Sequence, residues 1–412
     1  MITRRGLIGA ATAAAAIAGA GPLLAQAPTA LTSMSANAQP ISLAERAQRI
    51  AKAQDLMRRR GWGGLLVESG TTLEYFTGAQ WRRSERTTAA IIPAVGEPII
   101  VCPFFESPSI RETLALGDIR TWNEADSPFE VLAGALRDRG GAGKPLAVEG
   151  TTRFFVLDGV RRAAGVEVVS GDPIVRACRL HKSPAELALL QTANDITLAA
   201  LRVTHGAVAT GMTPADIVQI MNKATAALGG GVAEFSLVLL NEASAFPHGS
   251  HTPQMVYEGS VILMDCGCAV HGYQSDISRT WVHGEASPKQ RKVWNTVKRG
   301  QEIALEAAKL GAPCGSVDDA VRRYYESEGW GPGYRLPGLS HRTGHGIGLD
   351  GHEDPYLVHS DTTPLEVGMC FSDEPGLYIP GEFGIRLEDC WHMTGTGPKL
   401  FTGLAKSVEE PI

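Results

Sequence analysis

The sequence predicts an α+β protein: a curved antiparallel sheet with pseudo-twofold symmetry and lining helices, preceded by a smaller α/β domain. Strand and helix signals alternate in the first part of the chain, and a helix–helix–hairpin plan occurs twice in the rest. A length of 412 residues leaves room for more than one core. With 44% hydrophobic and 20% charged residues, the composition excludes coiled coil, collagen and polytopic membrane protein. The balance of 38 Lys+Arg against 44 Asp+Glu gives a net charge of −6 without a long basic run, so there is no electrostatic footprint for nucleic acid.

Residues 1–40 read as an export signal and linker. Thr3-Arg4-Arg5-Gly6-Leu7-Ile8 places two arginines before a small apolar run, and Ala25-Gln26-Ala27 is an A-x-A-type cleavage site. Ala36-Asn37-Ala38 is a second candidate, kept because Pro28 directly follows the first. The apolar run of about 15 residues falls short of the ~20 needed to span a bilayer, so no stable membrane anchor is expected after cleavage. The paired arginines resemble a twin-arginine signal, which implies the twin-arginine export machinery as a partner and a periplasmic or secreted mature protein. The seven cysteines (102, 178, 266, 268, 314, 370, 390) are odd in number and form no C-x-x-C pair, so they are expected as small core residues, not a disulfide framework.

Residues 41–175 follow as the α/β domain. A charged helix pattern covers 42–60, strands read at Gly64–Val67, Ala89–Pro93, Ile99–Val101 and Leu146–Val148, and helices near 107–116, 128–139 and 152–164. At Arg176–Lys182 the pattern changes to long helices and hairpins, which opens a second domain over 176–412. There Ser183-Pro184-Ala185-Glu186 offers a Ser N-cap, Pro at the first helical position and a Glu closing the capping box, and Ser287-Pro288-Lys289-Gln290 repeats the device. Thr213-Pro214 after Gly211 opens a second helix, and Ser316 after Gly315 does likewise. Each helix pair runs into a hairpin, at about 260–283 and about 369–393.

The chemistry sits on the hairpins. Val261-Ile262-Leu263-Met264-Asp265-Cys266-Gly267 is an apolar strand interrupted by one acid, and the return strand carries Asp276. A two-residue turn at Val270-His271 makes these two acids direct cross-strand partners. Like charges placed opposite each other in a buried sheet are destabilising, so a cation is expected between them. In the second hairpin, Glu374 follows Met369-Cys370-Phe371-Ser372-Asp373, and a turn around Pro380-Gly381-Glu382 pairs it with Glu388. Two carboxylate pairs facing one centre read as a hard-cation site for two divalent ions. Between the hairpins, His341, His345 and His352 lie in one glycine-rich stretch and bring imidazoles to the acids. His181, His205, His283, His359 and His392 are isolated and read as core or surface residues.

Together these residues resemble the pita-bread metallopeptidase family, which includes prolidase, aminopeptidase P and methionine aminopeptidase. The resemblance runs from Ser183 to the C-terminus and fills all five of the family's ligand positions in order. It implies the pita-bread fold with a creatinase-like N-terminal domain, and Asp276 and Glu388 bridging two metals. Asp265 would hold one ion; His345 and Glu374 would hold the other. The stretch Ser244-Ala245-Phe246-Pro247-His248-Gly249 is similar to one that places His248 at the substrate, and His341, His352 and Arg386 match further family positions. His251 has no counterpart and reads as a surface residue.

The implied reaction is cleavage of Xaa-Pro bonds in dipeptides or short peptides by a metal-bridging hydroxide, with Glu374 shuttling a proton and His248, His341, His352 and Arg386 serving the substrate. With four carboxylates and one His, manganese is the first expectation and cobalt or zinc the next. The family also implies a homodimer. An N-terminal domain argues against a methionine aminopeptidase, and five intact ligands argue against a metal-free amidinohydrolase or a binding module. The remaining alternative is a lyase acting on dimethylsulfoniopropionate or another small-molecule C–N or C–S cleaving enzyme. That lyase carries an extra acid where this chain has Gly267. Leu73-Glu74-Tyr75-Phe76-Thr77-Gly78 resembles the family's stretch before a loop reaching the active site, so Trp81-Arg82-Arg83-Ser84-Glu85-Arg86 is a candidate gate or a solvated basic turn.

Overall fold

Strands buried on both faces need continuous apolar runs, and the three central strands of the first sheet have them. Gly64–Glu68, Ala89–Pro93 and Ile99–Pro103 are buried at every position. The computed structural model describes residues 31–231 and 235–412, so the export-signal reading falls almost wholly outside the described residues. Flanking strands Asp118–Trp122, Leu146–Val148 and Val168–Ser170 complete a mixed six-stranded sheet. The two outermost are partly exposed: 118–122 mixes Asp, Arg and Thr with apolar residues and 168–170 is only three residues long, so neither gives a continuous apolar run in the sequence. Helices Leu43–Arg60, Ser107–Thr113, Pro128–Asp138 and Phe154–Ala164 form where the sequence predicts them. Leu132, Leu136, Val156 and Val160 pack against Leu66, Ile91 and Val101 of the sheet.

A further helix, Asp172–Arg179, runs through the change of character placed at 175/176. Residues Thr32–Ile412 form one compact unit by their contacts. Among the described residues no helix is long and apolar enough to cross a membrane.

The duplicated plan follows. Helices Pro184–Ala207 and Pro214–Ala227 lead to a three-stranded sheet of Phe235–Leu240, Val261–Gly267 and Ile277–Val282. Helices Pro288–Ala307 and Gly315–Ser327 lead to strands Cys370–Asp373, Gly376–Ile379, Phe383–Arg386 and Asp389–Thr394. Full capping boxes open the helices after Ser183, Thr213 and Ser287. Ser316 differs: it lies inside the first turn, donates its hydroxyl to Pro313 O at 2.6 Å, and caps nothing. The second half's core is apolar, with Trp391 stacked on Phe371 at 4.9 Å beside Trp294, Val297 and Val321. All seven cysteines are buried thiols outside any disulfide among the described residues.

The second hairpin has the predicted register, with Asp373 opposite Asp389 and Gly376 opposite Arg386 on either side of the Glu374/Glu388 level. The first does not. Asp265 pairs with Ser278, and Val270 pairs with Tyr273, so the two-residue turn is His271-Gly272. Both turn residues have positive φ, 47° and 85°, as a type I′ turn demands, and Gly272 takes its position without strain. Asp265 and Asp276 are therefore diagonal neighbours on one face and not direct partners.

Candidate metal centre

Two hydrogen-bonded seams bring the hairpins together. Glu388 N donates to Ser278 O at 3.0 Å, and Thr280 Oγ1 donates to Arg386 O at 2.8 Å, so the edge carrying Asp276 lies along the edge carrying Glu388. Glu374 N donates to Thr343 O at 2.8 Å, which ties the histidine strand Gly344–Gly346 to the same place. Glu374 and Glu388 sit at the points where the strand ladder changes partners, which turns both side chains toward one cavity of about 360 Å³. Asp265, Asp276, His248, His345, His352 and Arg386 line it too.

The ligand atoms of Asp276, His345 and Glu388 all lie within 4.8 Å of one another, and all three residues are buried. His345 Nδ1 donates to Gly346 O at 3.1 Å, so the Nε2 lone pair faces the acids. Nε2 stands 3.6 Å from Asp276 Oδ2 and 3.6 Å from Glu374 Oε1. Asp265 Oδ1, Asp276 Oδ1 and Glu388 Oε1 are buried without a hydrogen-bond partner. Such orphaned anionic oxygens are costly unless a cation meets them. Four carboxylates and a neutral imidazole with a free lone pair fit divalent ions.

The electrostatics agree. Burial first, and then the charges of Glu388, Asp265 and Glu374, push the Asp276 carboxyl well above its usual range. Glu388 is driven up by burial and by Glu374 and Asp265. Burial raises Glu374 to about 7, against the pull of Arg386. Burial also holds His345 well below the usual imidazole value, with His352 and Arg342 adding to it.

The outer residues gather at a second cavity of about 440 Å³, lined by His248, His341, His352, Glu374 and Arg386. The His352 ring lies 3.9 Å from that of His345. Arg386 is buried; its Nη2 donates to Asp265 Oδ2 at 2.6 Å and its Nε to Ser278 Oγ at 2.9 Å. Every predicted ligand and catalytic candidate is thus brought to one place. His251 is exposed and lines neither cavity. His181, His283 and His359 bond to Glu366, Thr210 and Asp319, His205 packs on Trp281, and His392 on Phe401. In the N-terminal loop, Trp81 Nε1 donates to Glu106 and Arg83 to Ser69 O and Thr151, around a cavity of about 840 Å³.

Two participants escape sequence reasoning. Tyr378 OH lies 2.7 Å from His341 Nε2 and 3.3 Å from Arg386 Nη1. Ser278 Oγ accepts from Arg386 and donates to Glu388 Oε2 at 2.7 Å. Both are ordinary strand residues whose partners are distant in sequence; the one signal is that Ser278 lies two residues beyond Asp276 on the same face.

Residues 188–395 match the model of metallopeptidase family M24, and residues 49–181 match that of the creatinase/prolidase N-terminal domain. A protein named Xaa-Pro dipeptidase from Lactobacillus helveticus is 31% identical over 83% of this chain and 93% of its own length. The crystal structure of dipeptidase PepE from Mycobacterium ulcerans superposes with a TM-score of 0.80 at 32% identity, covering 89% of this chain and 97% of that one. That of a prolidase from Thermococcus sibiricus gives 0.80 at 26% identity, over 87% and 97%. The buried acid–imidazole cluster and these matches together establish that the chain belongs to metallopeptidase family M24, with its pita-bread fold.

Proposed function

We propose that this peptidase hydrolyses Xaa-Pro bonds in dipeptides or short peptides. The observation that carries the reading is the convergence of Asp276, His345 and Glu388 with their unpartnered carboxylate oxygens; the relatives named Xaa-Pro dipeptidase and prolidase supply the bond. Two divalent ions, manganese first and cobalt or zinc next, held by Asp265, Asp276, His345, Glu374 and Glu388, would supply Lewis-acid polarisation and acidify a water at this site.

The side chains divide the remaining work. Glu374, which lines both cavities, takes a proton from the attacking water and gives it to the nitrogen of the leaving amine. His352, beside His345 and open to the cleft, donates to the scissile carbonyl as charge builds on its oxygen. His341 Nδ1 donates to Arg342 O at 2.7 Å, so its Nε2 accepts from Tyr378 OH, which accepts from Arg386. This directed chain fixes the imidazole plane against the substrate. Arg386 keeps a permanent positive charge at the buried end of the cleft, and His248 orients the substrate at the rim. The lyase alternative is disfavoured at Gly267, where any Cβ would stand 2.1 Å from Ser275 O, so no acid fits there. We extend the proposal to export by the twin-arginine route, supported by Arg4-Arg5 and Ala25-Gln26-Ala27, and to a homodimer.

The test is a panel of Xaa-Pro dipeptides, longer Xaa-Pro peptides, non-proline dipeptides and dimethylsulfoniopropionate. Xaa-Pro turnover that EDTA abolishes and manganese restores is expected, with Asp276→Ala and Glu388→Ala inactive yet folded by circular dichroism. Turnover of dimethylsulfoniopropionate alone overturns the reading.

A further inference from the structure

We infer that Arg179 is a positioning residue for His352, so that the amino-terminal part of the chain sets the geometry of the cleft. The inference rests on the reading above in placing His352 against substrate. Among the described residues, His352 makes no hydrogen bond of its own. Beside it lies a cavity of about 200 Å³ bordered by Glu149, Arg179, Asp350, Glu353 and Tyr356. Apart from its ring contact with His345, nothing among the described residues therefore bonds the imidazole in place. Its placement is inherited from the backbone turn that carries it.

That turn is clamped by charge. Arg179 Nη2 donates to Asp350 Oδ2 at 2.9 Å and to Glu353 Oε1 at 2.6 Å, the residues two before and one after His352. Lys182 Nζ donates to Glu353 Oε2 at 3.1 Å, and Asp350 N donates to Glu353 Oε1 at 3.1 Å, closing the turn on itself. Burial would push Glu353 up, yet Arg179 and Lys182 hold it at about 2, so its charge is permanent. The other side of the guanidinium reaches the first turn of helix Thr71–Thr77: Nη1 donates to Thr71 Oγ1 at 3.1 Å and Thr72 Oγ1 at 2.9 Å. Thr71 Oγ1 in turn donates to Asp350 Oδ2 at 2.8 Å, and Thr72 Oγ1 to Glu149 Oε1 at 2.5 Å. One buried, planar, multi-donor side chain thus joins helix 71–77 to both flanks of His352. A lysine could not span both sides.

A purely structural salt bridge would show the same contacts, so the test separates the two roles. Arg179→Met, Arg179→Lys, Thr72→Val and His352→Ala, with the Arg179→Met/His352→Ala and Thr72→Val/His352→Ala doubles, are assayed with manganese and glycyl-proline. A displaced hydrogen-bond donor costs about tenfold to a hundredfold in rate, so kcat falls by that factor in Arg179→Met and less in Arg179→Lys, with KM little changed. In the His352→Ala background the same substitutions change kcat by less than about twofold, because the residue they act through is gone. Imidazole ¹⁵N–¹H resonances, recorded without substrate, move for His352 in Arg179→Met and Thr72→Val, while those of His205, at the far end of helix Pro184–Ala207, stay. Equal losses in both backgrounds with unmoved His352 resonances overturn the inference. If Arg179→Met does not fold, Thr72→Val, which keeps the side chain's shape, decides alone. A wild-type protein that turns over no Xaa-Pro substrate sinks the peptidase reading instead, and the resonances still report on positioning.

Discussion

Arg386 and Asp265 form an ion pair at the centre of the cleft, with Nη2 2.6 Å from Oδ2, while the other oxygen of Asp265 is left without a partner. The guanidinium and the proposed cation would thus serve the same carboxylate from two sides. Removing Arg386, the buried partner, leaves the part-buried Asp265 charge uncompensated, at a cost of up to about 3–5 kcal/mol. Arg386→Met is therefore expected to lower the melting temperature steeply in EDTA and much less in saturating manganese, where a metal supplies the missing charge. Thermal denaturation under the two conditions checks this. Equal losses in both would mean that Asp265 does not face the metal.

Glu374 gives a pH dependence with a definite sign. Its folded-state proton affinity, about 7, lies above the ordinary 4.5, so the native state binds more protons than the unfolded chain between those values. The stability it contributes is complete below about 4.5 and is lost as pH rises through about 7. Buried His345 and His341 pull the opposite way in part of this range, since burial lowers both. Comparing wild type with Glu374→Gln in EDTA cancels them to first order. The melting temperature of wild type relative to the variant should fall steadily from pH 4.5 to pH 7; a flat difference would refute the raised affinity.

Tyr378→Phe removes the hydroxyl between His341 and Arg386 and nothing else. A buried imidazole nitrogen left without its donor costs about 1–3 kcal/mol, and a tenfold rate change corresponds to about 1.4 kcal/mol. An approximately tenfold or greater loss in kcat/KM is expected, with unchanged metal content by mass spectrometry of the native protein. Unchanged kinetics would show that His341 is oriented by its bond to Arg342 O alone.

Behind the centre, Arg279 and Asp389 are fully buried and paired at 2.6 Å, and Arg279 also donates to Glu388 O at 2.7 Å. Gln301 and Thr402 complete the coordination of Asp389, at 3.0 and 2.6 Å. Arg279→Met strands the buried Asp389 charge opposite Asp373 and should destabilise the fold by about 3–5 kcal/mol in urea. Replacing both, Arg279→Met with Asp389→Leu, should recover much of that loss. A double variant no better than the single would place the energy in packing instead.

What the sequence could reveal followed the range of each signal. Pro380-Gly381 marks its turn locally, so the Glu374/Glu388 register was readable. His271 in a left-handed conformation was not, since only its neighbour Gly272 announces such a turn. The resulting error moved the partner by two positions, and two is the repeat of a strand, so Asp265 and Asp276 kept a common face. That is why the metal centre survived a wrong register. Arg279, Tyr378 and Arg179 were illegible for the opposite reason: each is defined by a partner brought near only by tertiary folding, and one residue on a strand or helix end carries no periodic signal. Ser316 shows the converse, a local cap signal overridden because its hydroxyl is drawn back to Pro313.

The described structure also bears on where a signal would be cut. Met34 N donates to Leu228 O at 2.8 Å, and Ser35 Oγ donates to Gly229 O at 2.7 Å. Gly229 is shaped for this: with φ at 92°, a Cβ there would stand 2.4 Å from the hydroxyls of Ser33 and Ser35. The Ala38 carbonyl lies 3.3 Å from His271 Nε2. Cleavage after Ala27 keeps all of these contacts, whereas cleavage after Ala38 discards the segment that makes them. With net hydrogen bonds worth about 1 kcal/mol each, a chain starting at Gln39 should be less stable by about 1–3 kcal/mol than one starting at Pro28. If the chain is exported as proposed, intact-mass measurement should therefore find a mature form that retains Met34 and Ser35. A mature chain beginning at Gln39, with the same urea midpoint as the longer form, would show that residues 33–35 contribute nothing to the fold.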